Sequence, residues 1–123
     1  MGDDDEALWR AVRLYNSGDY LACQELFEEI DRACAAERKP LVRALAMLAC
    51  GMHLHFHRGG GRGALNLMRQ CLVLLDDLRP AAAGIATAEL YEALLAYVQD
   101  LQERKKPGPI FFDRWLAPKI RAG

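Results

Sequence analysis

Gln24, Glu25 and Glu28 lie within two helical turns of one another, and His55 follows further along the chain. An amide, carboxylates and an imidazole are the donor types of a metal shell or of a polar pocket. Two carboxylates three residues apart and a single imidazole make an incomplete metal set. The expectation is therefore a polar pocket of Gln24, Glu25, Glu28 and His55, buried between two helices and fixing their register, with no metal assigned. A second group is His53, His55 and His57. At helical spacing residues 53 and 57 share a face and residue 55 points nearly the other way, so one cation cannot take all three. The pair 53 and 57 could hold zinc or copper, but no HExxH glutamate is present to act as a base. Imidazoles near a helix C-terminus are also favoured by the dipole alone. A third group is Arg58-Gly59-Gly60-Gly61-Arg62-Gly63, whose arginines could contact an anion at a helix start. No Walker lysine-serine pair follows it, and a glycine turn between two helices accounts for the same residues. No Ser-His-Asp, Cys-His or paired-carboxylate set can be assembled. No catalytic residue is assigned and no cofactor is implied.

The elements that must position these groups read as helices throughout. Leu8, Ala11, Val12 and Tyr15 form one apolar stripe, which Asn16-Ser17-Gly18 should end, glycine being cheap in the left-handed position past a helix. Asp19 can cap the next helix, predicted over 20–36. Its face of Tyr20, Cys23, Phe27, Ile30 and Cys34 repeats at steps of three and four. Gln24 and Asp31 fall at the margin of that face and Glu28 just beyond it, while Glu25, Glu29 and Arg32 point to water. Pro40 suits the first turn of helix three. From Leu41 to Phe56 only Arg43, His53 and His55 are strongly polar, so this helix should be the central one, covered on several sides. It is short for a membrane span, which needs about 20 residues. Leu65, Met68, Leu72 and Leu75 predict helix four over 62–78. After a loop at 80–84, Thr87 is a cap for helix five, which carries Leu90, Tyr91, Leu94, Val98 and Leu101. Lys105-Lys106-Pro107-Gly108-Pro109 ends it. The final stretch, with Phe111, Phe112 and Trp115, is too apolar for a free tail. It should pack along the bundle or bind a partner.

The fold class expected is all-α: a bundle of about five helices over residues 1–106, with a C-terminal segment, 107–123, docked on it. With 123 residues, 52% apolar and 27% charged, the chain has enough material for one core. The net charge of −1 gives no reason to expect bulk affinity for nucleic acid. Charge is uneven, with an acidic start at Asp3-Asp4-Asp5-Glu6 and a basic C-terminal stretch. Cys23, Cys34, Cys50 and Cys71 form no CxxC pair, so a zinc site of the usual spacing is not expected. Reduced thiols packed in the core are. No signal peptide is visible, which predicts a cytoplasmic protein, or a plastid stromal one if a transit peptide has been removed.

Tyr15-Asn16-x-Gly18-x-Tyr20, Cys23-Gln24-Glu25-x-x-Glu28 and His55-x-x-Arg58-Gly59-x-x-Arg62-Gly63-Ala64 resemble the domain-of-unknown-function family 309 over about residues 7–101. The Tyr-x-x-Cys form is similar to its cyanobacterial and plastid branch. The resemblance implies an all-helical bundle and no settled biochemical role. The family usually carries a His-Glu-x-x-Glu-x-x-Trp run on helix two. Here Gln24 stands at the histidine and Asp31 at the tryptophan, so an activity needing that histidine is not implied. Spacing around Leu14, Tyr20, Cys23, Phe27 and Ile30 also looks like a degenerate tetratricopeptide helix pair, an arrangement that leaves a groove.

The function expected is therefore non-enzymatic: a small interaction or assembly factor. It would bind another protein through a helical groove or through Phe111, Phe112 and Trp115, and the same surface could serve a homodimer. The alternative is a metal- or small-ligand-binding, enzyme-like protein with its pocket between helices two and three. Membrane association is not expected, and nucleic-acid binding through Arg58, Arg62 and the tail is a remoter reading.

Overall fold

The computed structural model describes residues 3–57, 61–103 and 116–123. Among the described residues five helices follow one another: α1 Asp3–Asn16, α2 Tyr20–Ala33, α3 Lys39–His57, α4 Arg62–Asp76 and α5 Thr87–Glu103. The architecture is an all-α bundle. Among the described residues, extended pairing is confined to two isolated antiparallel bridges, Ala82 with Ile85 and Ile85 with Ala122. No helix among them is long and apolar enough to cross a membrane.

The α1–α2 hairpin forms for the reason its sequence suggests. Gly18 takes a positive φ of 88°. That conformation lets the Gly18 amide donate to the Tyr15 carbonyl at 2.9 Å and the Asp19 amide to Leu14 at 3.0 Å. Two carbonyls left over at the end of α1 are thereby satisfied. Asp19 then caps α2, its Oδ1 accepting from the Ala22 amide at 3.4 Å. Helix α2 ends at Ala33, earlier than periodicity alone indicates. Cys34 is extended at φ −81°, ψ 163°, and still lies buried. A single 3-10 turn, Ala36–Arg38, leads directly into α3.

Helix α3 is the axis of the molecule. It buries Leu41, Val42, Ala44, Leu45, Leu48, Ala49, Gly51, Met52 and Phe56, and packs mainly against α4 on one side and α2 on another. Helix α1 adds to α2, and α5 to α4. Thr87 is the first residue of α5 rather than its cap. It is fully buried, and its hydroxyl donates to the Leu78 carbonyl at 2.6 Å, tying the start of α5 to the end of α4.

The final residues are clasped to the bundle. Tyr15 Oη donates to the Pro118 carbonyl at 2.7 Å, and the Asn16 side chain both donates to the Ile120 carbonyl at 2.8 Å and accepts from its amide at 2.9 Å. Ala117 and Ile120 are buried in the core. On the opposite edge, Ala86 donates to Arg121 and Gly123 to Gly84, at 2.8 and 2.9 Å. Of the segment expected at 107–123, residues 116–123 are described, and they are held against the bundle. Phe111, Phe112 and Trp115 lie outside the described residues.

Candidate functional site

Helices α2 and α3 run antiparallel, and charged groups of both helices line their shared outer surface. At one end Asp31 anchors the pair. Its Oδ1 accepts from Arg43 Nε at 3.1 Å and lies 3.8 Å from Lys39 Nζ, which also donates to the Asp31 carbonyl. Asp31 is only half-buried and Arg43 exposed, so the ion pair contributes little to stability by itself. It does mark where the two helices meet. Beside it is a cleft of about 370 Å³ lined by Glu28, Asp31, Arg32, Arg43, Ala46 and Met47. Two apolar side chains of α3 lie in this cleft between charges from both helices.

One turn along, Gln24 Nε2 donates to Glu28 Oε1 at 3.0 Å. Gln24 is half-buried, and Glu28 and Glu25 are exposed. The structure therefore brings Gln24 and Glu28 together on the surface of α2, while Glu25 points outward. On α3, the charge of Glu28 reaches Cys50. Its thiol pKa is raised, first by burial and then by the negative charge of Glu28.

At the other end, Tyr20 of α2 stacks on Phe56 of α3, ring centres 5.6 Å apart. Over that contact opens a second cleft, of about 440 Å³, lined by the turn Ser17-Gly18-Asp19, by Tyr20 and Leu21, and by His53 and His57. The two imidazole centres are 4.9 Å apart with planes inclined at 34°. His53 Nδ1 is buried and has no hydrogen-bond partner among the described residues.

His55 is not in either cleft. Its ring packs edge-on against Phe56 at 4.8 Å and faces Tyr97 of α5 at 6.0 Å. The expected convergence of His55 with Gln24 and Glu28 does not occur, because a step of two residues turns a helix by about 200°. The α3 residues on the α2 side are instead Arg43, Met47, Cys50, His53 and His57. Their spacing of three and four is a helical stripe and was available from sequence. It was missed because α3 is apolar on so many sides that its polar residues did not reveal which neighbour each would face. Arg62 is exposed at the first position of α4, preceded by Gly61 with φ 90° and no side-chain cap. Arg58, its expected companion, lies outside the described residues. No group of three or more His, Cys, Asp or Glu able to hold a metal occurs among the described residues.

The stretch of sequence that forms this surface is also what a family comparison recognises. Residues 8–67 match the family model described as Domain of unknown function (DUF309). No curated protein and no solved structure matches the chain. The matched span contains α1 from Leu8 on, α2, α3 and the start of α4, and so every residue lining the two clefts.

Proposed function

We propose that this chain, which belongs to the DUF309 family through residues 8–67, is a non-catalytic binding module that engages a protein partner along the α2/α3 surface. The observation that supports this reading is the cleft with Ala46 and Met47 between the charges of Glu28, Arg32 and Arg43. Methionine is unbranched and polarizable, and it adapts to the shape of an incoming side chain. Charges on both sides supply orientation and rejection of wrong partners more than raw affinity. Leu21, 47% exposed, extends the apolar character toward the other cleft.

The test compares two substitutions in quantitative capture of partners by the full chain. Met47→Asp places a carboxylate in the cleft. Val73→Asp places one on α4, where Val73 is 70% exposed and lines neither cleft. A partner that uses the cleft is lost from Met47→Asp by about tenfold or more, as for a residue central to an interface, and is retained by Val73→Asp. Equal capture by both variants overturns the proposal. Loss only when Phe111, Phe112 and Trp115 are replaced by alanine would move the partner site to the C-terminal segment.

A further inference from the structure

We propose that His53 and His57 form a binding site for a late first-row divalent cation of the nickel, copper and zinc class, open to solvent on the side of the α1–α2 turn. This goes beyond the protein-docking reading and stands independently of it.

Residues 53 and 57 are four apart on α3, so their side chains leave the helix on one face. A cation about 2.0–2.1 Å from one nitrogen of each ring sits about 3.2 Å from each ring centre, so adjacent donors at square or tetrahedral angles place the centres about 4.5–5.2 Å apart. The observed separation is 4.9 Å. The two rings already stand at the distance that a shared cation requires.

The second observation concerns bonding. A histidine kept for structure ordinarily has its buried nitrogen paired, because leaving a buried polar atom unsatisfied costs about 1–3 kcal/mol. His53 Nδ1 is buried without any partner among the described residues, and no other side-chain nitrogen or oxygen among them is so placed. Something outside the described residues would complete this ring.

The third is space. Both imidazoles line the cleft of about 440 Å³ whose other wall is Ser17, Gly18, Asp19, Tyr20 and Leu21. Imidazole nitrogen suits the later first-row metals over magnesium or calcium, with copper bound most tightly by the usual order of affinities. No third His, Cys, Asp or Glu completes the set among the described residues. The remaining positions on the cation would therefore be held by water or by a small exogenous donor entering the cleft.

The probe is Ni2+, which free thiols of the chain do not reduce, added to the purified full-length chain and followed by calorimetry and by the imidazole signals in NMR. One equivalent should bind, shifting His53 and His57 together and leaving His55 unmoved. His53→Ala and His57→Ala should each weaken binding by more than about tenfold, since loss of a direct ligand should exceed what loss of an outer partner costs. His55→Gln should bind as the wild type does, because His55 packs against Phe56 and Tyr97. His57 is exposed, so His57→Ala remains informative if His53→Ala fails to fold. Binding unaffected by His57→Ala, or weakened equally by His55→Gln, overturns the site.

Discussion

At the scale of single residues, the α2/α3 surface is organised by pairs that cross between helices. The pair with the most direct chemical consequence is Glu28 and Cys50. Burial pushes the Cys23 and Cys71 thiols up to about 12, and raises Cys50 less far, with the Glu28 charge as the second cause. The thiolate is the reacting form, so a raised pKa means slow alkylation near pH 8. Glu28→Gln removes a negative charge that disfavours the thiolate, so the Cys50 pKa should fall and its thiolate fraction rise. We expect iodoacetamide to label Cys50 about two- to fivefold faster in Glu28→Gln at pH 8, read by mass spectrometry, with Cys23 and Cys71 unchanged. An unchanged rate at Cys50 would mean that the two side chains do not face each other in solution. The wheel of α2 correctly placed Gln24 at the margin of the buried face and Glu28 beyond it, because α2 has a clear polar side to orient it. The position of His55 could not be read the same way. Burial of α3 depends on contacts from several helices, and a pattern apolar nearly all round encodes being central without encoding which neighbour lies where.

At the scale of elements, α3 and α4 come close together at Gly51. A Cβ built on Gly51 would lie 3.3 Å from the Ala64 carbonyl oxygen, 3.3 Å from Met68 Cγ and 3.4 Å from Leu67 Cβ. The Ala64 oxygen belongs to a helix backbone and cannot step aside as a flexible side chain could. Gly51→Val should therefore destabilise by about 1–3 kcal/mol through overpacking, despite relieving the helix of a glycine. Gly63 offers the contrast. A Cβ there meets only Leu54 Cδ1, at 4.0 Å. Gly63→Ala should be neutral or stabilise by up to about 1 kcal/mol. Urea unfolding of the two variants measures both, and similar midpoints would show that helix spacing is not set at Gly51. The hairpins and the five apolar stripes were legible because caps and periodicity are local properties. The early end of α2 and the role of Thr87 were not. The 3-10 turn that shortens α2 and the Leu78 carbonyl that takes the Thr87 hydroxyl both depend on how the following helix docks, and local propensity carries no record of that.

At the scale of the whole molecule, the C-terminal strap joins the two ends of the chain and braces the turn that walls the histidine cleft. The sequence suggested that Asn16 helps to stop α1. In the fold it also reaches across 104 positions to hold Ile120 by two hydrogen bonds, while Lys119 Nζ returns to the Asn16 carbonyl at 3.1 Å. Such a clasp is invisible to periodicity, because Asn16 is a single polar residue at the end of α1 and Ile120 lies in a segment outside the helices. Asn16→Ala removes a donor and an acceptor from Ile120 at once and should cost about 1–3 kcal/mol. For a domain near this size, each kcal/mol lowers Tm by about 4–8 °C or somewhat less. Removing residues 117–123 should cost more, since the buried Ala117 and Ile120 side chains go as well. The decisive comparison is between backgrounds. If Asn16 acts through the strap, Asn16→Ala should destabilise the full chain and change the truncated one by only a few tenths of a kcal/mol, because residues that share an interaction do not contribute additively. Equal losses of Tm in both backgrounds would show that Asn16 stabilises the end of α1 by itself and that the strap rests on its apolar contacts alone.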